Sequence, residues 1–424
     1  MKKMDYQNVK GTQDYLPEDE VIRRQVRRTL EDVFILYGCS PLETPILNYR
    51  ELLASKYGGG SEILEEMYTL SDRGERELAL RYDLTIPFAK AVAMNPKLKK
   101  PFKRYEIGKV FRDGPIKTGR LREFTQCDVD IAGVDSQIAE AELMMMALVA
   151  FEKLNLRVEI QYNNRKILAG ILNVFEVPAD QINKVILILD KLEKVGRDAV
   201  LKELLDNGLT TKTIKQVEQF LVEADLRYIA EYAEDNNQLK EGLHELNELQ
   251  GYLAYLGVDA QCVFNPFLAR GLEIYTGTIY EIFLADRSIS SSIGSGGRYD
   301  QAIGGFIGSG ENISTVGISF GLDVIFTAIK QLLNEMTPTS KVQYYIVPLG
   351  KKKEAMLIAK ALRDKGFPVE LEMSGKKVGK ALEKANKEQI PYVIIVGEDE
   401  VKGNKMKIKD MVTGKEKTEA FSFS

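Results

Sequence analysis

Between Pro17 and Tyr37 apolar residues recur at Ile22, Val26, Leu30, Val33 and Phe34, the three-and-four spacing that marks one face of a helix. Proline and acidic residues open this stretch and Gly38 follows it, so the pattern predicts one amphipathic helix. The rhythm then shortens. Apolar or alternating runs at Leu78–Thr85, Tyr105–Arg112, Phe124–Ile131, Arg157–Tyr162 and Thr278–Phe283 predict strands. A single polar loop joins the Tyr105 and Phe124 runs, with no room for a crossover helix, so one mostly antiparallel sheet flanked by helices is expected. From Lys166 to Gly257 the chain is charged, leucine-rich and helical in period, which predicts a helical insertion at about 166–257 within a domain spanning 1–335.

After Met336-Thr-Pro-Thr-Ser340 the pattern restarts. Val342–Val347, Pro368–Leu371, Tyr392–Val396 and Lys405–Met411 read as strands, with helices at Lys351–Lys365 and Val378–Asn386. Alternation of this kind predicts a second, compact α/β domain over 341–424 with a partly parallel sheet.

Composition narrows the chemistry. The chain has 424 residues, 44% of them hydrophobic, which is enough for a large core and more than one domain. No apolar run approaches the roughly 18 residues needed to cross a bilayer, and the charged N-terminus is followed by no apolar stretch; a cytoplasmic protein with no membrane partner is expected. Three cysteines, Cys39, Cys127 and Cys262, lie far apart without paired spacing, so neither a disulfide framework nor a structural metal site is expected. The one histidine, His244, sits in a polar helical stretch and is expected at the surface. This excludes serine–histidine chemistry and histidine-rich metal centres. Net charge is −4, yet residues 341–424 carry 18 Lys/Arg against 12 Asp/Glu, a basic segment on an acidic body. A polyanionic partner and a plain lysine-rich surface both fit that asymmetry.

Three segments concentrate candidate chemistry. In Phe111 to Gln126 cations crowd a loop between two strands, and alternation places Gln126, Asp128 and Asp130 on one face, where polar groups suggest a lined pocket that Arg112 would also meet. At Leu78 to Pro87, Asp83 and Thr85 share a face beside a helix expected to begin at Pro87; they could hold an ammonium group, or Thr85 could cap the helix. Phe267 to Gly277 and Gly294 to Asp300 each set an arginine beside glycine with a tyrosine close by. Such glycines either let backbone approach a ligand or simply form turns. Neither segment has the spacing of a Walker or dinucleotide-binding loop.

Taken together the residues resemble the histidyl-tRNA synthetases, nearly end to end. Lys10-Gly-Thr-Gln-Asp-Tyr-Leu-Pro17 resembles that family's opening signature, Phe111 to Gln126 its class II motif 2, and Ala269-Arg-Gly-Leu with Gly294-Ser-Gly-Gly-Arg-Tyr-Asp its two histidine-specific motifs. The resemblance implies a class II α+β catalytic domain, a helical insertion and a C-terminal anticodon-binding domain. It implies activation of L-histidine by ATP with Mg2+, transfer to tRNA(His), and a homodimer. By the same resemblance Arg112 and Arg270 would flank the α-phosphate; Asp83 and Thr85 would hold the α-ammonium, with Gln126 nearby; Asp130 and Tyr275 would hold the imidazole, beside Ile274. Glu123, Gly296 and Gly297 would border the adenylate. No editing domain and no protein-bound metal are implied. Two departures stand out: Val324 occupies the place of the motif 3 arginine, and Ile274 that of a tyrosine. Val324 favours the nearest rival reading, a paralogue that no longer charges tRNA, such as the regulatory subunit of ATP phosphoribosyltransferase; a plain RNA-binding module would explain the basic tail but not the polar pocket.

Overall fold

A computed structural model describes residues 6–55, 64–116, 119–269, 274–307, 312–333 and 342–423. Two units, 1–331 and 332–424, each hold their own sheets.

In the first unit the strands are β1 (Ser40–Pro41), β2 (Leu47–Tyr49), β3 (Thr69–Ser71), β4 (Glu77–Leu80), β5 (Phe102–Phe111), β6 (Glu123–Ala132), β7 (Val158–Asn164), β8 (Cys262–Phe264), β9 (Thr278–Leu284), β10 (Gly294–Arg298) and β11 (Thr315–Gly321). Eight of them form one sheet in the order β1-β5-β6-β11-β10-β9-β7-β8. Only the β1–β5 and β7–β8 pairings are parallel, so the sheet is mostly antiparallel. Leu78–Thr85 departs from expectation. Its strand is β4, which ends at Leu80 and belongs to a separate three-stranded sheet, β2-β4-β3. The next helix begins at Thr85, two residues before Pro87, because the Asp83 carboxylate accepts the Ile86 N–H at 3.2 Å and caps it.

One face of the large sheet is apolar. Tyr105, Cys127, Val129, Ile131, Ile282 and Ile318 are buried there in the same core as Val26, Leu30, Val33 and Phe34 of the Pro17–Leu36 helix and Leu143, Met144 and Phe151 of the Ile138–Lys153 helix. Burying those side chains fixes which face each strand turns inward, since a one-residue slip would reverse them all. The segment from Arg165 to Tyr255 is helical among the described residues and shares this core through Ile167, Leu204, Phe220 and Leu246. His244 is exposed on the Asn237–Tyr255 helix, and all three cysteines are buried and free.

In the second unit β12 (Tyr344–Pro348), β13 (Val369–Leu371), β14 (Tyr392–Val396), β15 (Lys405–Asp410) and β16 (Glu416–Ala420) form a sheet in the order β13-β12-β14-β15-β16. β12 runs parallel to β13 and β14, and the rest is antiparallel. The Lys352–Asp364 and Val378–Lys387 helices cover its two faces.

Candidate active site

The other face of the large sheet is polar. Register places Asp130 between Arg104 and Gly317, Asp128 between Glu106 and Ser319, and Gln126 between Gly108 and Gly321. Ser295 and Gly297 of β10 continue the rows of Ser319 and Gly317. A second apolar cluster lies on this side, built from Tyr82, Ile86, Phe88, Ile274, Tyr299 and Ile303. Between it and the sheet is a pocket lined by Asp83, Thr85, Asp128, Asp130, Ile274, Tyr275, Gly296 and Gly297, together with Ser295, Tyr299, Gly317, Ile318 and Ser319.

The glycines act as floor rather than turns. A Cβ on Gly296 would overlap the Gly317 carbonyl, and one on Gly317 would overlap the Asp130 carboxylate. A Cβ on Gly297 would lie 2.8 Å from the Tyr275 ring. Only the absence of a Cβ lets these strands and the pocket groups approach so closely.

Charge is strongly organised. Arg104 is fully buried; its NH2 group lies 2.6 Å from Asp130 Oδ2 and donates to the Leu84 carbonyl at 3.1 Å, while its guanidinium stacks 4.5 Å from the Phe88 ring. Tyr299 donates its hydroxyl to Asp130 Oδ1. Glu106 is held by the Thr44 N–H at 3.0 Å and by Arg81 at 2.7 Å. Burial pushes the Asp83 carboxyl up to about 6, against the lowering effect of the Ile86 N–H and Arg112. Burial likewise pushes Asp128 up to about 8, with Arg104 opposing. Burial also raises Asp130, although Arg104 and the Tyr299 hydroxyl hold it down.

Most expected residues converge. Asp83, Thr85, Asp130, Ile274, Tyr275, Gly296 and Gly297 line one pocket. Arg112 stands next to it, donating from Nε to the Tyr82 carbonyl at 2.9 Å, and its charge reaches Asp83. Gln126 donates to Ser319 Oγ at 2.8 Å, and its own Oε1 is buried without a partner. Arg270 lies outside the described residues. Glu123 is not brought to the pocket: strand alternation turns it to the opposite face from Gln126, where it pairs with Lys109 at 3.1 Å. Phe124, one residue on, takes the pocket face instead, with the Arg112 guanidinium 5.4 Å from its ring. Arg298 also fails to reach the pocket. As the neighbour of pocket-facing Gly297 it points the other way, and forks onto buried Glu140 at 2.6 and 2.7 Å. Arg104, Asp128, Tyr299 and Ser319 are pocket-face residues with no role assigned from sequence. Alternation from Gln126 already implied Asp128; Arg104 sits in an ordinary strand run, and only its register against Asp130 marks it.

A family model described as histidyl-tRNA synthetase matches residues 11–325, and one described as anticodon-binding domain matches 343–423. The chain belongs to the histidyl-tRNA synthetase family. Among its relatives, "Histidine--tRNA ligase 2" of Shouchella clausii is 58% identical over the whole of both chains. "Histidine--tRNA ligase 1" of Bacillus cereus is 56% identical over 97% of each. A crystal structure of histidyl-tRNA synthetase from Nostoc superposes with a TM-score of 0.83 at 30% identity, covering 99% of this chain and 97% of that one. A Bacillus halodurans protein titled as an ATP phosphoribosyltransferase regulatory subunit/histidyl-tRNA synthetase shares the fold, with a TM-score of 0.77 at 21% identity, covering 93% of this chain and 99% of that one. Family membership fixes the class II fold for the first unit and an anticodon-binding fold for the second. Among the described residues no helix is long and apolar enough to cross a membrane.

Proposed function

We propose that the chain is a histidine–tRNA ligase that makes histidyl-adenylate in this pocket and passes the histidyl group to the 3′ end of tRNA(His). The observation that carries the reading is an acidic, glycine-floored pocket beside the Arg112 hairpin, in a member of this family. The first step joins the histidine carboxylate to the α-phosphate of ATP and expels pyrophosphate. Negative charge accumulates on the phosphate in that step, so cations fixed in advance stabilise the transition state more than the ground state. Arg112 serves this role, its position held by the Tyr82 carbonyl, and Arg270 is assigned the opposite side. Magnesium would accompany the nucleotide rather than be held by a protein site, and would supply further neutralisation of phosphate charge.

Asp83 and Thr85 take the α-ammonium, with Gln126 beside them, and Gly296 and Gly297 leave space for the adenylate. Asp130 and Tyr275 face the imidazole, in a pocket walled by Ile274. Tyr299 donates to Oδ1 of Asp130, and the Arg104 guanidinium stands 2.6 Å from Oδ2 as its ion-pair partner. Val324 is packed against Gly119 and Gly321, so this helix position contributes packing where an arginine would contribute charge. Relatives 54–58% identical over nearly the whole chain are named as ligases, and the second unit matches an anticodon-binding domain, so the regulatory-subunit reading is set aside. Action as a cytoplasmic homodimer suits the exposed apolar side chains of Ile35, Leu36, Ile46, Leu47 and Tyr49.

The test is histidine-dependent exchange of pyrophosphate into ATP without tRNA, with other amino acids as controls. Exchange with histidine alone is expected, and Arg270→Ala should abolish it while the protein stays folded. Exchange with no amino acid would overturn the reading, and an unchanged rate in Arg270→Ala would overturn the assignment of the site.

A further inference from the structure

The pocket holds more acid than the assigned roles use. Asp83, Asp128 and Asp130 all line it, yet the fully buried cation on this face, Arg104, is committed to Asp130. Asp128 is 3% exposed; Ser319 hydrogen-bonds its carboxyl, but its Oδ1 has no hydrogen-bond partner. A buried carboxyl oxygen that no protein donor satisfies and that borders a cavity is an acceptor available to a donor carried by a ligand.

We propose that Asp128 is a substrate-binding residue that, with Asp83, receives the α-ammonium of the bound amino acid; this rests on the histidine-activating reading of the pocket. Three observations choose the ammonium over the ring. Alternate side chains on one strand stand about 7 Å apart, so Asp128 sits one pleat from Asp130 towards Gln126, away from the ring end and towards the ammonium end of the amino acid. Across the pocket its charge couples to Asp83. An imidazole is mostly neutral at physiological pH, whereas an α-ammonium brings the full positive charge that two facing carboxyls require.

The groups facing Asp128 are Arg104 and Glu106 from β5, Ser319 from β11, Asp83 from the segment after β4, and Gln126 and Asp130 on its own strand. Glu106 is already neutralised by Arg81. Burial and the two neighbouring carboxyls therefore leave Asp128 protonated up to about pH 8 in the empty site. An arriving ammonium favours the carboxylate and expels that proton into solvent.

Titration calorimetry with two ligands separates this role from a structural one. Histidinol keeps the ammonium and the ring; imidazole-lactate keeps the ring and carboxylate but has a hydroxyl for the ammonium. Asp128→Asn should weaken histidinol by about 10- to 100-fold, the usual worth of a charge-assisted hydrogen bond, and leave imidazole-lactate within about 3-fold. In two buffers of different ionisation enthalpy at pH 7.5, the unsubstituted protein should release protons on binding histidinol and Asp128→Asn should not. Equal losses for both ligands, no loss for histidinol, or no proton release by the unsubstituted protein would each overturn the proposal. The last measurement needs no variant. Failure of the unsubstituted protein to bind histidine at all would overturn the underlying reading instead.

Discussion

At the scale of single residues, the pocket depends on carboxyls whose charge burial opposes and neighbouring cations support. Arg104 is the key to this balance, since its fork touches Asp130 and the Leu84 carbonyl and lies 3.7 Å from Glu106. Arg104→Met keeps much of the volume but leaves Asp130 with Tyr299 alone. Breaking a buried pair from one side costs about 3–5 kcal/mol, so a clear drop in calorimetric unfolding temperature is expected. Without the guanidinium Asp130 also moves further up from the carboxylate range, because the largest lowering influence on it is gone. The Michaelis constant for histidine in pyrophosphate exchange should therefore rise. Arg104→Lys should fall between the two, since one ammonium cannot reproduce a planar fork. A variant as stable as the parent would show that Asp130 is held by something other than this pair.

At the scale of elements, the pocket is made by strands whose sequences look least like strands. β10 carries three glycines in five residues, and β11 crosses the floor at Gly317. Gly317→Ala would drive a methyl group into the Asp130 carboxylate, while the β6–β11 register leaves the backbone no room to retreat. Overpacking of this kind costs about 1–3 kcal/mol, and the expected result is loss of histidine binding greater than loss of stability, read by calorimetric titration beside thermal unfolding. The same feature explains what could be read in advance. The helix at Pro17, the Tyr105–Phe124 hairpin and the second unit's alternation are legible because an apolar face must repeat at 3.6 or 2 residues. β10 is not, because its residues were selected for what they leave empty. The Ile138–Lys153 helix is hidden for the opposite reason: ten of its residues are buried, so no polar stripe reveals its period. β11 does alternate, with Val316, Ile318 and Phe320 turned to the core, but its glycines and its resemblance to a motif obscure the signal. For the site itself, residue type and resemblance single out Asp83, Thr85, Asp130 and Tyr275, and the fold brings all four to one pocket. Glu123 and Arg298 pair with Lys109 and Glu140 on the opposite face, because adjacent residues of a strand point to opposite sides.

At the scale of the whole molecule, the empty pocket makes stability depend on pH in an unusual sense. Asp83 and Asp128 hold their protons in the folded chain to about 6 and about 8, above an ordinary aspartate at 3.8. Between those values the folded state binds more protons than the unfolded one. Stability is therefore largest below the unfolded pKa and falls as pH rises through the folded values, the reverse of a salt-bridged carboxylate. Each such group contributes a slope of at most about 1.4 kcal/mol per pH unit. Because the two units have separate cores, calorimetry should be used to follow the transition of the first unit alone. From pH 5 to 8 that transition should move to lower temperature without ligand, and Asp128→Asn should flatten the upper part of the decline. Saturating histidinol should remove most of the remainder, since the ammonium makes the charged forms the favoured ones. A ligand-free transition that rises with pH over this range would show that both carboxyls are ionised in the empty site, and that the pocket receives its cation without giving up a proton.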